Sequence, residues 1–157
     1  MKLDGYYTTF DVVKILDLKM ERFQDWLKRG FIMPSIQYQF GRGKKKYFER
    51  WDIYLIRLFK HLLDSGISRK QAASFVKVVG GFDPKKSTTE SKTRIFIGKP
   101  GRKSSKFPVY FVLTRDGENM SISPAYGSGD IKISETGDTF VFNFRNIMHE
   151  IDGKLDK

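Results

Sequence analysis

Residues 18–48, LKMERFQDWLKRGFIMPSIQYQFGRGKKKYF, decide how the N-terminal half of this chain folds. Bulky apolar residues recur at helical spacing in the first third of this stretch, which predicts an amphipathic helix over 19–29. Gly30 favours the left-handed turn that ends a helix, and Pro34 keeps the chain after it extended. The buried stripe of the helix would consist of Phe23, Trp26 and Leu27.

The second part of the stretch predicts a β-hairpin. Apolar and polar residues alternate over 36–40, and Tyr47-Phe48 can return as the partner strand. Between them, residues 41–46 (GRGKKK) form the most basic segment of the chain, and their two glycines permit a tight turn. We expect a flexible tip, or wing, that contacts phosphates. Its cations are Arg42, Lys44, Lys45 and Lys46.

A shorter helix precedes this stretch. Thr8 or Thr9 can cap it, because a threonine hydroxyl accepts a hydrogen bond from an otherwise free amide, and its apolar residues lie within 12–16. Asp17-Leu18 then breaks the helical pattern. Two helices joined by so short a turn predict a helix-turn-helix, whose second helix is the natural reader of a DNA groove.

Two further helices are expected after the hairpin. Residues 51–64 carry apolar side chains every three or four positions, and the pattern stops at Ser65-Gly66. Ser68, with Gln71 three residues later, is a capping box for a helix that ends at Gly80-Gly81. The helices and the hairpin together would form one domain over 1–82.

The C-terminal half has a different pattern. Residues 83–93 are polar and typical of a linker, and the apolar period changes to two from Arg94 onward. We expect an antiparallel β meander of four or five strands over 94–152, followed by a tail over 153–157. The strands are expected around Ile95 and Ile97, over 107–114, over 120–123, around Ile131 and Ile133, and over 140–144.

Two features of this half allow more than one interpretation. The loop 99–106 carries four cations and is either a second phosphate contact or a solvated loop. The phenylalanines of 140–144 are expected in the core, the alternative being a platform on which bases stack. A closing turn of helix is expected near 147–151.

The formal net charge of +11 over 157 residues is unevenly distributed. Residues 1–80 contain 16 Lys or Arg and 8 Asp or Glu, whereas residues 81–157 contain 13 and 10. The excess of cations in the first half indicates a polyanionic partner. The absence of cysteine excludes disulfides, thiolate metal sites and thiol redox sensing. No apolar segment approaches the roughly 20 residues that span a bilayer, so we expect a cytoplasmic protein.

The sequence does not predict an enzyme. His61 and His149 stand outside any catalytic motif, and two histidines alone do not make a metal site. Residues 41–45 lack the spacing and the following helix of a phosphate-binding loop. We therefore predict no catalytic residue, no cofactor and no metal.

The order of elements in the first half resembles the MerR family of transcription regulators. In that family a Tyr-Thr or Tyr-Ser lead precedes a helix-turn-helix, a wing and a second helix pair. The matching residues are Tyr7-Thr8, Trp26, Lys28 to Phe31 with Pro34, Lys45 to Phe48, Asp52-Ile53, and Ser65 to Ser68. The resemblance covers about half of the chain and implies a winged-helix DNA-binding domain. It does not extend into the C-terminal half.

Several positions depart from the family pattern. Asp17 and Lys19 replace the usual turn Gly and capping Ser, and Gln24 replaces an Arg that family members use on DNA. Lys46 replaces the wing Arg, which keeps the charge but loses the bidentate fork. Gly80-Gly81, with Pro84 beyond, stops the chain where the family continues into a long dimerisation helix, so its coiled-coil dimer is not expected.

Taken together, the patterns predict an α+β protein with an N-terminal MerR-like winged helix (four helices plus a β-hairpin wing) and a small antiparallel β domain. We expect it to bind double-stranded DNA as a transcription regulator and to self-associate through the β domain, with no membrane or metal partner. One alternative is a phage-excisionase-like factor that bends DNA, and another is an adaptor that binds RNA or protein through the β sheet. The residues expected to contact DNA are Thr8, Thr9, Lys19, Arg22, Gln24, Lys28, Arg42, Lys44, Lys45 and Lys46.

Overall fold

The computed structural model describes residues 4–40, 43–81, 108–117 and 119–157. The chain divides into two compact units, one formed by Met1–Val76 with His149–Lys157 and the other by Lys77–Met148. The elements in chain order are β1 (Tyr7–Thr8), α1 (Thr9–Ile15), α2 (Met20–Lys28), β2 (Ile36–Phe40), β3 (Gly43–Phe48), α3 (Arg50–Asp64), α4 (Arg69–Gly80), β4 (Tyr110–Asp116), β5 (Asn119–Ala125), a 3-10 helix (Ser128–Asp130), β6 (Asp138–Asn143) and α5 (Phe144–Leu155). No helix in the described ranges is long and apolar enough to cross a membrane.

In the described part of the first unit, β1, β2 and β3 form an antiparallel sheet in the order β1-β3-β2. β2 and β3 make a hairpin in which Ile36 lies opposite Tyr47, and β1 adds to the other edge of β3 with Tyr7 opposite Phe48. The expectation that residues 44–46 belong to a flexible tip is wrong. Their backbone pairs with β2, which makes them part of a strand.

Helices α1, α2 and α3 end in the same backbone motif. After α2, the amides of Gly30 and Phe31 donate to carbonyls of the last helical turn at 3.2 and 3.0 Å, which are the two bonds of a Schellman motif. Gly30 has φ 73° and Gly66, after α3, has φ 83°. Asp17 takes the equivalent place after α1 at φ 49°. A side chain makes this left-handed conformation less favourable there than it is for glycine.

The core that positions α2 is aromatic. Phe23 and Trp26 of α2 are fully buried. The Trp26 ring meets Phe59 of α3 edge-on with the centroids 5.0 Å apart, and Phe23 lies 5.7 Å from Phe48 of β3. Burial of each such side chain contributes roughly 2–3 kcal/mol. The helix is therefore held between α3 and the hairpin.

In the described part of the second unit, the sheet has the strand order β5-β4-β6, with β4 antiparallel to both neighbours. This order corrects the expected meander of four or five strands, in which neighbours follow chain order. β4 is the central strand, and its consecutive residues Phe111, Val112 and Leu113, which point to alternate faces of the sheet, are all buried. The strand around 95–97, the linker 83–93 and the loop 99–106 fall outside the described residues.

Local expectations in this unit also need correction. Residues 131–133 are irregular rather than a strand. Ile133 is 79% exposed, so the alternating apolar residues do not line a buried face of the sheet. Phe144 does not end β6 but begins α5, where it meets Phe111 edge-on with the centroids 5.7 Å apart. α5 continues to Leu155, so most of the expected tail 153–157 is helical.

Candidate nucleic-acid interface

α2 turns its polar side chains away from the core. Arg22, Gln24 and Lys28 are exposed, whereas Phe23 and Trp26 are buried. Because a helix turns about 100° per residue, Gln24 and Lys28 share the outward side, while Arg22 lies on its flank. Around the helix axis Arg22 is about 160° from Gln24 and about 120° from Lys28, so the residues predicted to read DNA occupy two separate strips of the helix surface.

Arg22 is held against the aromatic core. Its Cζ atom lies 5.0 Å from the centroid of the Trp26 ring. A cation over an aromatic face at an exposed position contributes about 0.5–1 kcal/mol and restricts the side chain. Replacing Arg22 by alanine would therefore remove packing as well as charge.

The first turn of α2 has no side-chain cap. Lys19 occupies the capping position in an extended conformation, with φ −75° and ψ 132°, and makes no side-chain hydrogen bond to the helix amides. Lysine has no acceptor to offer, and its charge lies at the positive end of the helix dipole. The helix start thus carries an exposed cation where a serine would stabilise it.

Glu21 belongs to the same surface, and the sequence analysis missed it. The residue is exposed and precedes Lys28 by seven positions, so the two side chains lie on the same side of α2, two turns apart. A carboxylate there repels phosphate and restricts how the helix can approach a nucleic acid. Its spacing from Lys28 is the sequence signal that could have found it.

Thr8 caps α1, as the sequence predicts for one of the two threonines. Its hydroxyl accepts from the Asp11 amide at 3.3 Å and donates to the Asp11 carboxylate at 2.7 Å. The Thr8 amide donates to the same carboxylate at 2.8 Å. That amide therefore already donates to a carboxylate in the folded protein. Thr9 is the half-buried first residue of α1.

β3 places its lysines on both faces of the hairpin. Lys44 and Lys46 share one face, opposite two glutamines of β2, whereas Lys45 lies on the other face opposite Tyr38. Lys44 and Lys45 are exposed and Lys46 is half-buried. Arg42 lies outside the described residues. The basic segment therefore presents a pair of lysines to one side and a single lysine to the other.

Asp52 ties the start of α3 to both ends of the hairpin. Its Oδ2 atom accepts from the Glu49 amide at 2.8 Å, just after β3, and from the Ser35 amide at 3.2 Å, just before β2. Asp52 is buried, and this burial raises the pKa of its carboxyl group, although both hydrogen bonds act in the opposite direction. The side chain fixes the base of the hairpin relative to α3.

The phenylalanines of 140–144 do not form an open stacking platform. Phe142 and Phe144 are buried, as expected for core residues. Phe140 is half-buried, and the Arg115 guanidinium lies over its ring at 5.5 Å. In the described ranges, no group of three or more His, Asp or Glu side chains is placed to hold a metal ion.

A helix-turn-helix whose second helix exposes cations, followed by a basic hairpin, defines the class of nucleic-acid-binding helix-turn-helix proteins. Residues 7–77 match the model of the MerR HTH family regulatory proteins. The match confirms the resemblance seen in the sequence, and the C-terminal half has no family match. No curated protein matches the chain. A helix-turn-helix of this family is typical of DNA-binding transcription regulators.

Proposed function

We propose that this protein binds specific duplex DNA sequences and regulates transcription. The observation that carries the proposal is the MerR-type segment 7–77, within which α2 is anchored on the core by Phe23 and Trp26 and exposes polar and cationic side chains. The net charge of +11 supports a polyanionic partner.

The helix α2 would enter the major groove. Gln24 and Lys28 share its outward side and would be nearest the base edges, and Arg22 would reach the groove from the flank of the helix beside Trp26. Glutamine pairs well with adenine, and arginine or lysine with guanine, each good pair being worth about 1–3 kcal/mol of discrimination. Lys19 at the helix start would contact a phosphate.

The β2–β3 hairpin would act as the wing on the adjacent backbone or minor groove. Lys44 and Lys46 lie on one face and would contact the same side of the duplex, whereas Lys45 points from the other face. Arg42, which lies between the two strands in the sequence, remains part of this proposal. With roughly four to six phosphates neutralised in all, the binding constant should fall steeply with salt, by a slope of about −0.9 per phosphate.

A single helix-turn-helix buries a limited interface, so useful specificity needs a second copy. We therefore propose that the C-terminal unit mediates self-association. An architectural protein that bends DNA without responding to an effector is the alternative for the same DNA-binding domain. It would bind repeated sites cooperatively and respond to no small molecule.

The test starts from the full chain, because residues 149–157 belong to the first unit. A duplex selected from a random pool and a scrambled duplex of equal composition are titrated by fluorescence anisotropy. The proposal predicts tighter binding of the selected duplex by about 10³-fold or more. Equal affinities would refute sequence-specific binding and leave only a non-specific or architectural role.

A second arm assigns the reading helix. Gln24→Ala should weaken binding of the selected duplex by about tenfold and relax the base preference at one position. Asn146→Ala removes another exposed amide side chain, on α5, and is the matched control. Identical base preferences in Gln24→Ala and the unmodified protein would contradict the role of Gln24.

A further inference from the structure

The last turns of α5 are bound to α3 by charged groups that lie about a hundred residues apart in the sequence. Arg50 donates to the carboxylates of Asp152 and Asp156 at 3.1 and 3.0 Å. Tyr54, one turn further along α3, donates its hydroxyl to the same Asp152 carboxylate. One arginine thus holds two carboxylates, and one carboxylate receives two donors.

A second set of contacts extends the attachment. Arg57 and Glu150 are paired at 3.0 Å, and the Lys154 ammonium donates at 3.3 Å to the backbone carbonyl of Ile15, the last residue of α1. Ile151 between them is fully buried. The segment 149–157 therefore joins the first unit through both an apolar anchor and several ion pairs.

The two helices that receive this segment are those that position the proposed DNA-contacting elements. α3 holds α2 through the contact of Phe59 with Trp26, and it holds the hairpin base through Asp52. α1 ends at the turn that leads into α2. A contact on α3 and on the end of α1 therefore acts on the supports of α2 and β3.

We propose that residues 149–157 are a releasable strap that keeps α2 and the β2–β3 hairpin in their DNA-binding arrangement. The ion pairs are partly exposed, so each one is weak and is screened by salt, whereas Ile151 supplies the apolar anchor. α5 is one continuous helix that begins with Phe144, which contacts Phe111 in the second unit. An effector or partner that moves the start of α5 would therefore also act on the strap at its end. The DNA-binding part of this inference rests on the proposed function.

The experiment compares Ile151→Asp with Ile133→Asp in the full chain. Both changes place a carboxylate on an isoleucine, but Ile151 is buried in the strap and Ile133 is exposed. Amide hydrogen exchange is followed in residues 149–157, α2 and β3, and DNA affinity is measured on the same samples. Ile151→Asp should speed exchange in all three segments by about tenfold or more and weaken DNA binding about tenfold, whereas Ile133→Asp should change neither.

A milder variant tests the strap without the general unfolding that Ile151→Asp could cause. Asp152→Asn combined with Asp156→Asn removes both carboxylates bound by Arg50 and leaves Ile151 in place. It should speed exchange in 149–157 about threefold at low salt and have no added effect at about 0.5 M salt, where the pairs of the unmodified protein are already screened.

The possible outcomes separate the two proposals. Faster exchange confined to 149–157, with α2, β3 and DNA affinity unchanged, would overturn the strap. Unchanged exchange in 149–157 would overturn it as well. If the unmodified protein binds no DNA, the proposed function fails, and faster exchange of α2 and β3 in Ile151→Asp still supports the strap.

Discussion

The rings of Phe23 on α2 and Phe48 on β3 lie with their centroids 5.7 Å apart at an interplanar angle of 51°, and both side chains are fully buried. This contact joins the helix and the hairpin to which we assign DNA binding. Each element is otherwise short, nine residues for α2 and six for β3, and depends on such packing for its position.

Phe23→Ala should therefore destabilise the protein by roughly 3–5 kcal/mol, because it leaves a cavity where two aromatic rings meet. Phe10→Ala is the matched control, since Phe10 is 68% exposed, and it should change stability by no more than about 0.5 kcal/mol. Urea unfolding followed by circular dichroism measures both. Similar midpoints for the two variants would contradict the assigned core.

The turn between α1 and α2 can be improved. Asp17 holds a left-handed conformation that Gly30 and Gly66 adopt at equivalent helix ends, so Asp17→Gly should stabilise the protein by about 0.5–1 kcal/mol. Asp17→Ala keeps the unfavourable Cβ atom and loses the polar side chain that tolerates this conformation, so it should not stabilise. Thermal unfolding of the three proteins tests this order, and a more stable Ala variant would contradict it.

The local parts of the fold could be predicted because they depend on neighbouring residues. The stops at Gly30 and Gly66, the cap at Thr8 and the burial of Phe23 and Trp26 follow from side chains within one or two turns, whereas Leu27, also expected in the buried stripe, is only half-buried. The alternation of Ile131 and Ile133 gave the wrong answer because periodicity alone does not say whether a partner strand exists. Ile133 stays exposed instead.

The long-range parts could not be predicted. Nothing near Arg50 in sequence indicates Asp152 and Asp156 as its partners, about a hundred positions away. The strand order β5-β4-β6 likewise depends on the pairing of β4 with β6, which lies beyond β5 in the sequence. Helical spacing predicts that Arg22, Gln24 and Lys28 face away from the core, but the sequence does not predict how the hairpin lysines are arranged. That Lys45 lies on the face opposite Lys44 emerges only once β3 is known to be a paired strand.

Lys19 places a cation at the start of α2, where it cannot cap the helix. Lys19→Ser would supply the missing cap of α2 and should raise the free energy of unfolding by about 1 kcal/mol. If Lys19 contacts a phosphate, the same variant should bind duplex DNA more weakly and lower the magnitude of the salt slope by about 1. Lys28→Ser removes an exposed cation without creating a cap, so it should not stabilise. Tighter DNA binding by Lys19→Ser would contradict the phosphate contact.

The buried carboxyl of Asp52 should make stability depend on pH. Its pKa is raised above the ordinary value of 3.8, so the folded protein binds this proton more tightly than the unfolded chain does. The stabilisation from this group is complete below pH 3.8 and is lost as the pH rises through the raised pKa. Asp52→Asn retains an oxygen acceptor but does not ionise, so its stability relative to the unmodified protein should increase from pH 3 to about pH 7.

Asp52→Ala provides the contrast. It removes the acceptor from the amides of Ser35 and Glu49 and should cost roughly 1–3 kcal/mol at neutral pH. Urea titrations at several pH values measure all three proteins. If the stability of Asp52→Asn relative to the unmodified protein decreased as the pH rises, the folded protein would favour the ionised carboxylate, and this would contradict the raised pKa of Asp52.

The most direct test of DNA binding by the hairpin is the salt dependence of duplex binding in two variants with equal loss of charge. In the first, Lys44, Lys45 and Lys46 are all changed to Gln. In the second, the exposed cations Lys132, Arg145 and Lys157 are changed to Gln. We predict that the first lowers the magnitude of the salt slope by about 2, because Lys45 lies on the face opposite the other two lysines, and that the second changes it by less than about 0.5. Equal slopes in the two variants would contradict a DNA-binding hairpin.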